Sequence, residues 1–176
     1  MAFVLDAPAH RLGSYTNPWS REEVKALAIR EDSMSEKMRT GGCDCGAVTI
    51  RASGDPVFSA VCHCLNCQHS SGSGHNFFVV FPTDKVEITG KTSVYDYKAD
   101  SGNTASSHFC PTCGSQLYGF TTGFPGMIGI RVACFEDSSD LKPQMEVYTK
   151  RLQAWDTVSE GIPSFPSMPP MAAATQ

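Results

Sequence analysis

The stretch Cys43-Asp44-Cys45-Gly46-Ala47-Val48-Thr49-Ile50-Arg51 sets how the rest of the chain is read. Two thiols on a tight turn run through a glycine into a short β-branched segment, Ala47 to Arg51, which reads as a strand. A second turn of the same kind, Cys110-Pro111-Thr112-Cys113-Gly114, leads into another strand-like segment, Gln116 to Phe120. Neighbouring thiols on tight turns have the geometry of a metal clamp, in which two ligands from one turn meet two from another. The glycine after each turn lets the backbone bend so that its amides face the sulfurs. Cys43, Cys45, Cys110 and Cys113 are therefore expected to close a tetrahedral structural zinc site. Free thiols under redox control are the competing reading, and iron could occupy the same four-sulfur shell.

Between these turns lies Cys62-His63-Cys64-Leu65-Asn66-Cys67, with three thiols and no evident fourth ligand. Cys62, Cys64 and Cys67 can wrap one ion from a single turn, and three ligands with an open position are how catalytic zinc is usually built. Haem attachment is excluded because Gln68, not His, follows Cys67. His63 is expected to point away from the ligands on either side of it. His69, His75 and His108 read as hydrogen-bonding histidines. Cys134 reads as a small buried residue in a strand. A three-thiolate zinc is a weak activator of water but suits an incoming thiol, so the cluster points to thiol chemistry.

Further strands are expected at Val57 to Cys62, Phe77 to Phe81, Val86 to Thr89, Val94 to Tyr97, Met127 to Val132 and Met145 to Tyr148, each bounded by Gly, Pro, Asp or Ser. No helix–strand alternation runs through them, so a parallel βαβ fold is not expected. Upstream, residues 1–40 read as an extension. Ser20-Arg21-Glu22-Glu23 is a capping box that opens a short helix, and Glu31 to Thr40 reads as a linker. Residues 41–158 form the cysteine-bearing β domain, and residues 159–176 a Pro-rich tail that is extended or disordered.

The 176 residues suit one domain, and 41% apolar content is enough to bury a core. Fifteen Gly and eleven Pro favour short strands joined by turns. With 14 basic against 18 acidic side chains, the net charge of −4 argues against nucleic acid as a partner. Apolar runs are too short to span a membrane. The first residues do not read as a signal peptide, so a reducing, cytoplasmic setting is expected, in which eight cysteines favour metal over disulfides.

The motifs Gly42-Cys43-Asp44-Cys45-Gly46-Ala47-Val48, Cys62-His63-Cys64-Leu65-Asn66-Cys67-Gln68 with Ser71-Gly72, and Ser107-His108-Phe109-Cys110-Pro111-Thr112-Cys113-Gly114-Ser115 together resemble the glutathione-dependent formaldehyde-activating enzyme family, also called the centromere-protein-V family. The resemblance covers Gly42 to about Trp155 and sets seven cysteines in register. Ile130 to Asp137, Lys142-Pro143 and Arg151-x-x-x-Trp155 look like a looser form of its closing pattern. It implies a mainly β, β-tent-like fold of small antiparallel sheets pinned by zinc. It also implies two zinc ions per chain, a structural one on Cys43, Cys45, Cys110 and Cys113, and an active-site one on Cys62, Cys64 and Cys67.

The activity so implied is of carbon–sulfur lyase type, joining glutathione to formaldehyde, with a small molecule as the partner. Glutathione brings two carboxylates to an acidic chain, and Arg131 and Arg151 are the candidate cations to receive them. The arm before Gly42 and the glycine-rich stretch Gly119 to Met127 depart from the family's minimal pattern. Two other readings stand beside this one. One is a zinc-dependent lyase, dehydratase or isomerase acting on a larger metabolite without glutathione, with Phe77, Phe78, Phe81, Phe120 and Phe124 as candidate pocket walls. The other is a non-enzymatic zinc-binding interaction module.

Overall fold

The computed structural model describes residues 37–169. The predicted helix around Ser20 to Ala28 lies outside them. Ten strands form two sheets. In the smaller, β1 (Met38–Gly42), β2 (Thr49–Ser53) and β5 (Val86–Thr89) are antiparallel in the order β1-β2-β5. The larger sheet contains β3 (Phe58–Cys62), β4 (Asn76–Pro82), β6 (Ser93–Lys98), β7 (Thr104–Phe109), β8 (Gln116–Thr121), β9 (Met127–Arg131) and β10 (Met145–Val147). Its order is β10-β3-β4-β9-β8-β7-β6, and every pairing is antiparallel except the parallel β10–β3 pair at one edge. The mainly β, antiparallel architecture expected from the sequence is therefore present.

Strand periodicity places the core. In β2, Ile50 and Ala52 are fully buried while Arg51 between them is exposed. The β4–β9 register sets Val79 opposite Ile130 and Phe81 opposite Ile128, and all four are buried. With Val48, Leu117 and Phe135 they form the main core, which joins the small sheet to the middle of the large one. Each such side chain contributes roughly 1.5–3 kcal/mol by leaving water. Every residue of β3 is buried, because the strand lies between β10 and β4 with packing on both faces.

Several expectations are corrected. Met38–Gly42 is a strand paired with β2, so the end of the expected linker belongs to the sheet. Its anchor is Arg39, whose buried guanidinium is gripped by Asp140. Thr104–Phe109 is also a strand, although its polar run Thr-Ala-Ser-Ser-His hides this. Leu65–Ser71 forms a helix, α1, whose N-cap is Cys64 rather than one of the usual hydroxyl or carboxylate residues. Cys134 lies in a 3-10 turn, Val132–Cys134, and not in a strand. The first part of the tail is held in place. Ser164 bridges to Glu146, and Phe165 is buried against Cys62, Val147 and Tyr148.

Candidate metal centres

The two outer cysteine turns are built alike. Gly46 donates its amide to the Cys43 carbonyl at 3.0 Å, and Gly114 donates to the Cys110 carbonyl at 2.9 Å. Both glycines take left-handed backbone, φ 74° and 78°, which residues with a Cβ adopt only at a cost. The Asp44 amide donates to the Ser115 hydroxyl at 3.2 Å and links the turns to each other. The sulfurs of Cys43 and Cys45 lie 3.6 Å apart, and those of Cys45 and Cys110 lie 3.7 Å apart. A tetrahedron with metal–sulfur bonds of about 2.3 Å has sulfur–sulfur edges of about 3.8 Å. All four ligand atoms lie within 4.8 Å of one another, so the cluster could hold one metal ion.

Charge supports the same conclusion. The Ser115 hydroxyl, helped by backbone amides, brings the Cys113 thiol down to about 6. Cys45 has the Ala47 amide in its favour, but its thiol neighbours Cys113 and Cys43 push it up to about 12. Four adjacent thiols cannot all ionise unless a cation lies among them.

Cys62, Cys64 and Cys67 also converge within 4.8 Å. Cys62 ends β3, Cys64 caps α1 by accepting the Cys67 amide at 3.4 Å, and Cys67 lies in the first turn. The strand end and the helix start therefore place three sulfurs in one short loop. Contact with Cys62 and Cys67 brings the Cys64 thiol down to about 3, helped by the Cys67 and Asn66 amides. Contact with Cys64, then with Cys67, and burial raise Cys62 well above its ordinary value. Contact with Cys62 favours the Cys67 thiolate, yet Cys64 and burial push it up to about 12. The three thiols thus oppose one another's ionisation, and a cation is what would allow all of them to ionise. The donor set fits a thiophilic ion held by three ligands.

Arg131 donates to the Ser70 hydroxyl at 2.9 Å, and its charge favours the Cys67 thiolate. Arg151 has other partners. Its Nε lies 3.8 Å from Asp100, and its carbonyl accepts the Gln68 amide at 2.8 Å. Two tyrosines near the trio carry no signature in the sequence. Tyr97 has its hydroxyl held protonated by burial, then by the charges of Cys67 and Cys64. Tyr148 is shifted the same way by burial and by Cys62. Tyr148 is also the only described non-glycine residue with positive φ, 61°, a strained conformation for a bulky side chain beside a candidate site.

Of the candidate pocket walls, Phe78 packs against the cluster that contains Cys62, Cys64 and Cys67. The others lie apart from it: Phe81 is core, Phe77 packs against the main core, and Phe120 and Phe124 line a hollow of about 270 Å³ at the β8–β9 turn. Cys134 is half-buried and donates to the Gln116 carbonyl at 3.2 Å. His108 stacks on Tyr118 at 4.5 Å. No helix among the described residues is long and apolar enough to cross a membrane.

Residues 38–151 match the family described as glutathione-dependent formaldehyde-activating enzyme. A Halomonas elongata protein named "Putative glutathione-dependent formaldehyde-activating enzyme" is 30% identical over 93 residues, which are 50% of this chain and 59% of that protein. The chain thus spans less than two thirds of the length of this relative. A solved structure of a Rhodobacter sphaeroides protein is similar at a TM-score of 0.47 and 20% identity, over 57% of this chain and 90% of that one.

Proposed function

This chain belongs to the glutathione-dependent formaldehyde-activating enzyme family, and we propose that it joins the thiol of glutathione to formaldehyde, or to a similarly small aldehyde, at the Cys62–Cys64–Cys67 centre. The reaction is of carbon–sulfur lyase type: a carbon–sulfur bond forms, the carbonyl π bond opens, and the proton lost by sulfur is matched by one gained at oxygen. Cys62, Cys64 and Cys67 would hold one zinc ion, and Cys43, Cys45, Cys110 and Cys113 a second that ties the two sheets together. Zinc at the three-thiol centre supplies a thiophilic Lewis acid with a free coordination position. The observation that carries the reading is the convergence of three thiols at the start of α1, with one basic side chain acting on them.

The chain's own residues account for binding and orientation. Arg131 offers its guanidinium to a glutathione carboxylate on the Cys67 side, a geometry that favours two-pronged contact. Arg151 is a weaker candidate because Asp100 already engages it. Tyr97 and Tyr148, whose hydroxyls stay protonated, would donate a hydrogen bond to a developing aldehyde oxygen.

NMR observation of adduct formation from glutathione and formaldehyde tests the reading. Catalysis above the spontaneous rate is expected from the zinc-loaded protein, and S-methyl-glutathione, which has no ionisable sulfur, should not compete for the site. A rate equal to the uncatalysed one, or equal binding of thiol and methylated analogue to cobalt-substituted protein, would remove glutathione chemistry. A larger metabolite would then be the substrate to seek.

A further inference from the structure

A third group of ligand-type side chains lies outside the thiol clusters. His63, His75 and Asp156 bring one ligand atom each to within 4.8 Å of the others. They come from three separate parts of the chain: the loop after β3, the residue before β4, and the segment after the last 3-10 turn. The His75 Nδ1 is 2.8 Å and the His63 Nδ1 3.5 Å from the same oxygen, Oδ2 of Asp156. In a tetrahedral site with bonds of about 2.0–2.1 Å, ligand atoms are about 3.3 Å apart.

The His63 ring is wholly buried, and its Nδ1 has no hydrogen-bond partner. Its other nitrogen, Nε2, is 3.3 Å from Glu146 Oε2. Glu146 is itself buried, and its second oxygen accepts the Ser159 amide at 2.6 Å. A carboxylate behind an imidazole is the usual partner that orients a metal-ligating histidine. The unpartnered Nδ1 faces the Asp156 carboxylate oxygen at 3.5 Å. Two carboxylates meet here, and neither is paired with Lys or Arg by any described ion pair. Gly74 completes the cradle, since a Cβ at that position would strike the Asp156 carboxylate.

We propose that His63, His75 and Asp156 form a third, sulfur-free site for a divalent first-row transition ion of the zinc class, with Glu146 orienting His63 from behind. Two imidazoles and a carboxylate are a donor set for zinc or iron(II), and they leave coordination positions open. The open side is at His75, which is 37% exposed while His63 is sealed. The ion would therefore meet oxygen ligands from solvent, in contrast to the thiol centres.

The site is tested on the full chain loaded with Zn²⁺, and separately with Co²⁺, by elemental analysis and absorption spectroscopy. Wild type should hold one equivalent more than Asp156→Asn and more than His75→Gln. All three proteins should keep equally strong sulfur-to-cobalt charge-transfer bands, which report the thiol sites alone. Asp156→Asn preserves shape, and His75 is partly exposed, so His75→Gln provides a second reading if the first variant folds poorly. Equal metal content in wild type and a folded variant overturns the proposal. So does loss of the extra equivalent only together with the charge-transfer bands, since the histidines would then be serving the thiol centre.

Discussion

Arg39 and Asp140, 101 residues apart in the chain, meet in a two-pronged ion pair with both nitrogen–oxygen distances at 2.8 Å. The guanidinium is 3% exposed and the carboxylate 42%. This contact pins β1 to the loop before β10, and Lys37 adds a further contact to Asp140 at 2.6 Å. Asp140→Asn leaves a buried guanidinium with weaker partners and should destabilise the fold by about 1–3 kcal/mol in chemical denaturation.

The same pair predicts a pH dependence. The Arg39 and Lys37 contacts hold the Asp140 carboxyl well below its ordinary value of 3.8. A depressed carboxylate stabilises the fold fully above the unfolded value and ceases to do so as pH falls through the lower, folded one. Wild type should therefore lose stability on acidification below about pH 4, and Asp140→Asn should lose less over the same interval. Parallel melting curves for the two proteins would show the Asp140 contribution to be absent.

Cys110→Ser should disrupt folding, whereas Cys64→Ser should give a folded but inactive protein. Cys110 is fully buried and joins turns far apart in the chain, so losing its ligand reopens a long loop. Cys64 joins residues already close together, from the end of β3 to the first turn of α1. Thermal melts and soluble yield separate the two, and the reverse ranking would exchange the roles of the centres.

Stepwise chelation should distinguish the thiol-bound ions. The ion on three thiols has an open coordination position where a chelator can enter, so it should leave first, with circular dichroism unchanged. The ion on four thiols should leave only as the fold is lost. Simultaneous release would contradict the division into open and closed centres.

Arg131→Met should raise the glutathione KM about tenfold, equivalent to about 1.4 kcal/mol, while Arg151→Met should change it less. Arg131 acts on Cys67, whereas Arg151 is already engaged by Asp100. Steady-state kinetics with glutathione as the varied substrate would measure both, and equal effects would remove the distinction between the two cations.

Close spacing made the cysteine turns legible in the sequence, because two or three ligands a few residues apart need little tertiary information. Strands rich in β-branched residues, such as Val86–Thr89, were legible for the same local reason. Met38–Gly42 was not: its Arg-Thr-Gly-Gly run has no strand signature, and it pairs only because a buried guanidinium and a close backbone approach hold it there. Helix α1 was hidden because its cap is a thiol and its length is seven residues. Tyr97, Tyr148 and the His63–His75–Asp156 group were beyond reach, since each depends on segments that meet only in the finished sheet.

The parallel pairing of β10 with β3 has a consequence for how the protein is made. Glu146 lies 83 residues beyond His63, and the His63 amide is satisfied only by the carbonyl of Val147. During synthesis the strand carrying Cys62 therefore leaves the ribosome long before the segment that closes its outer edge. Through that interval one edge of β3 stays open beside the three neighbouring thiols, which are able to oxidise among themselves. Recovery of reduced, metal-competent protein should accordingly depend on translation speed and on the thiol–disulfide balance of the host, more than on the stability of the finished fold.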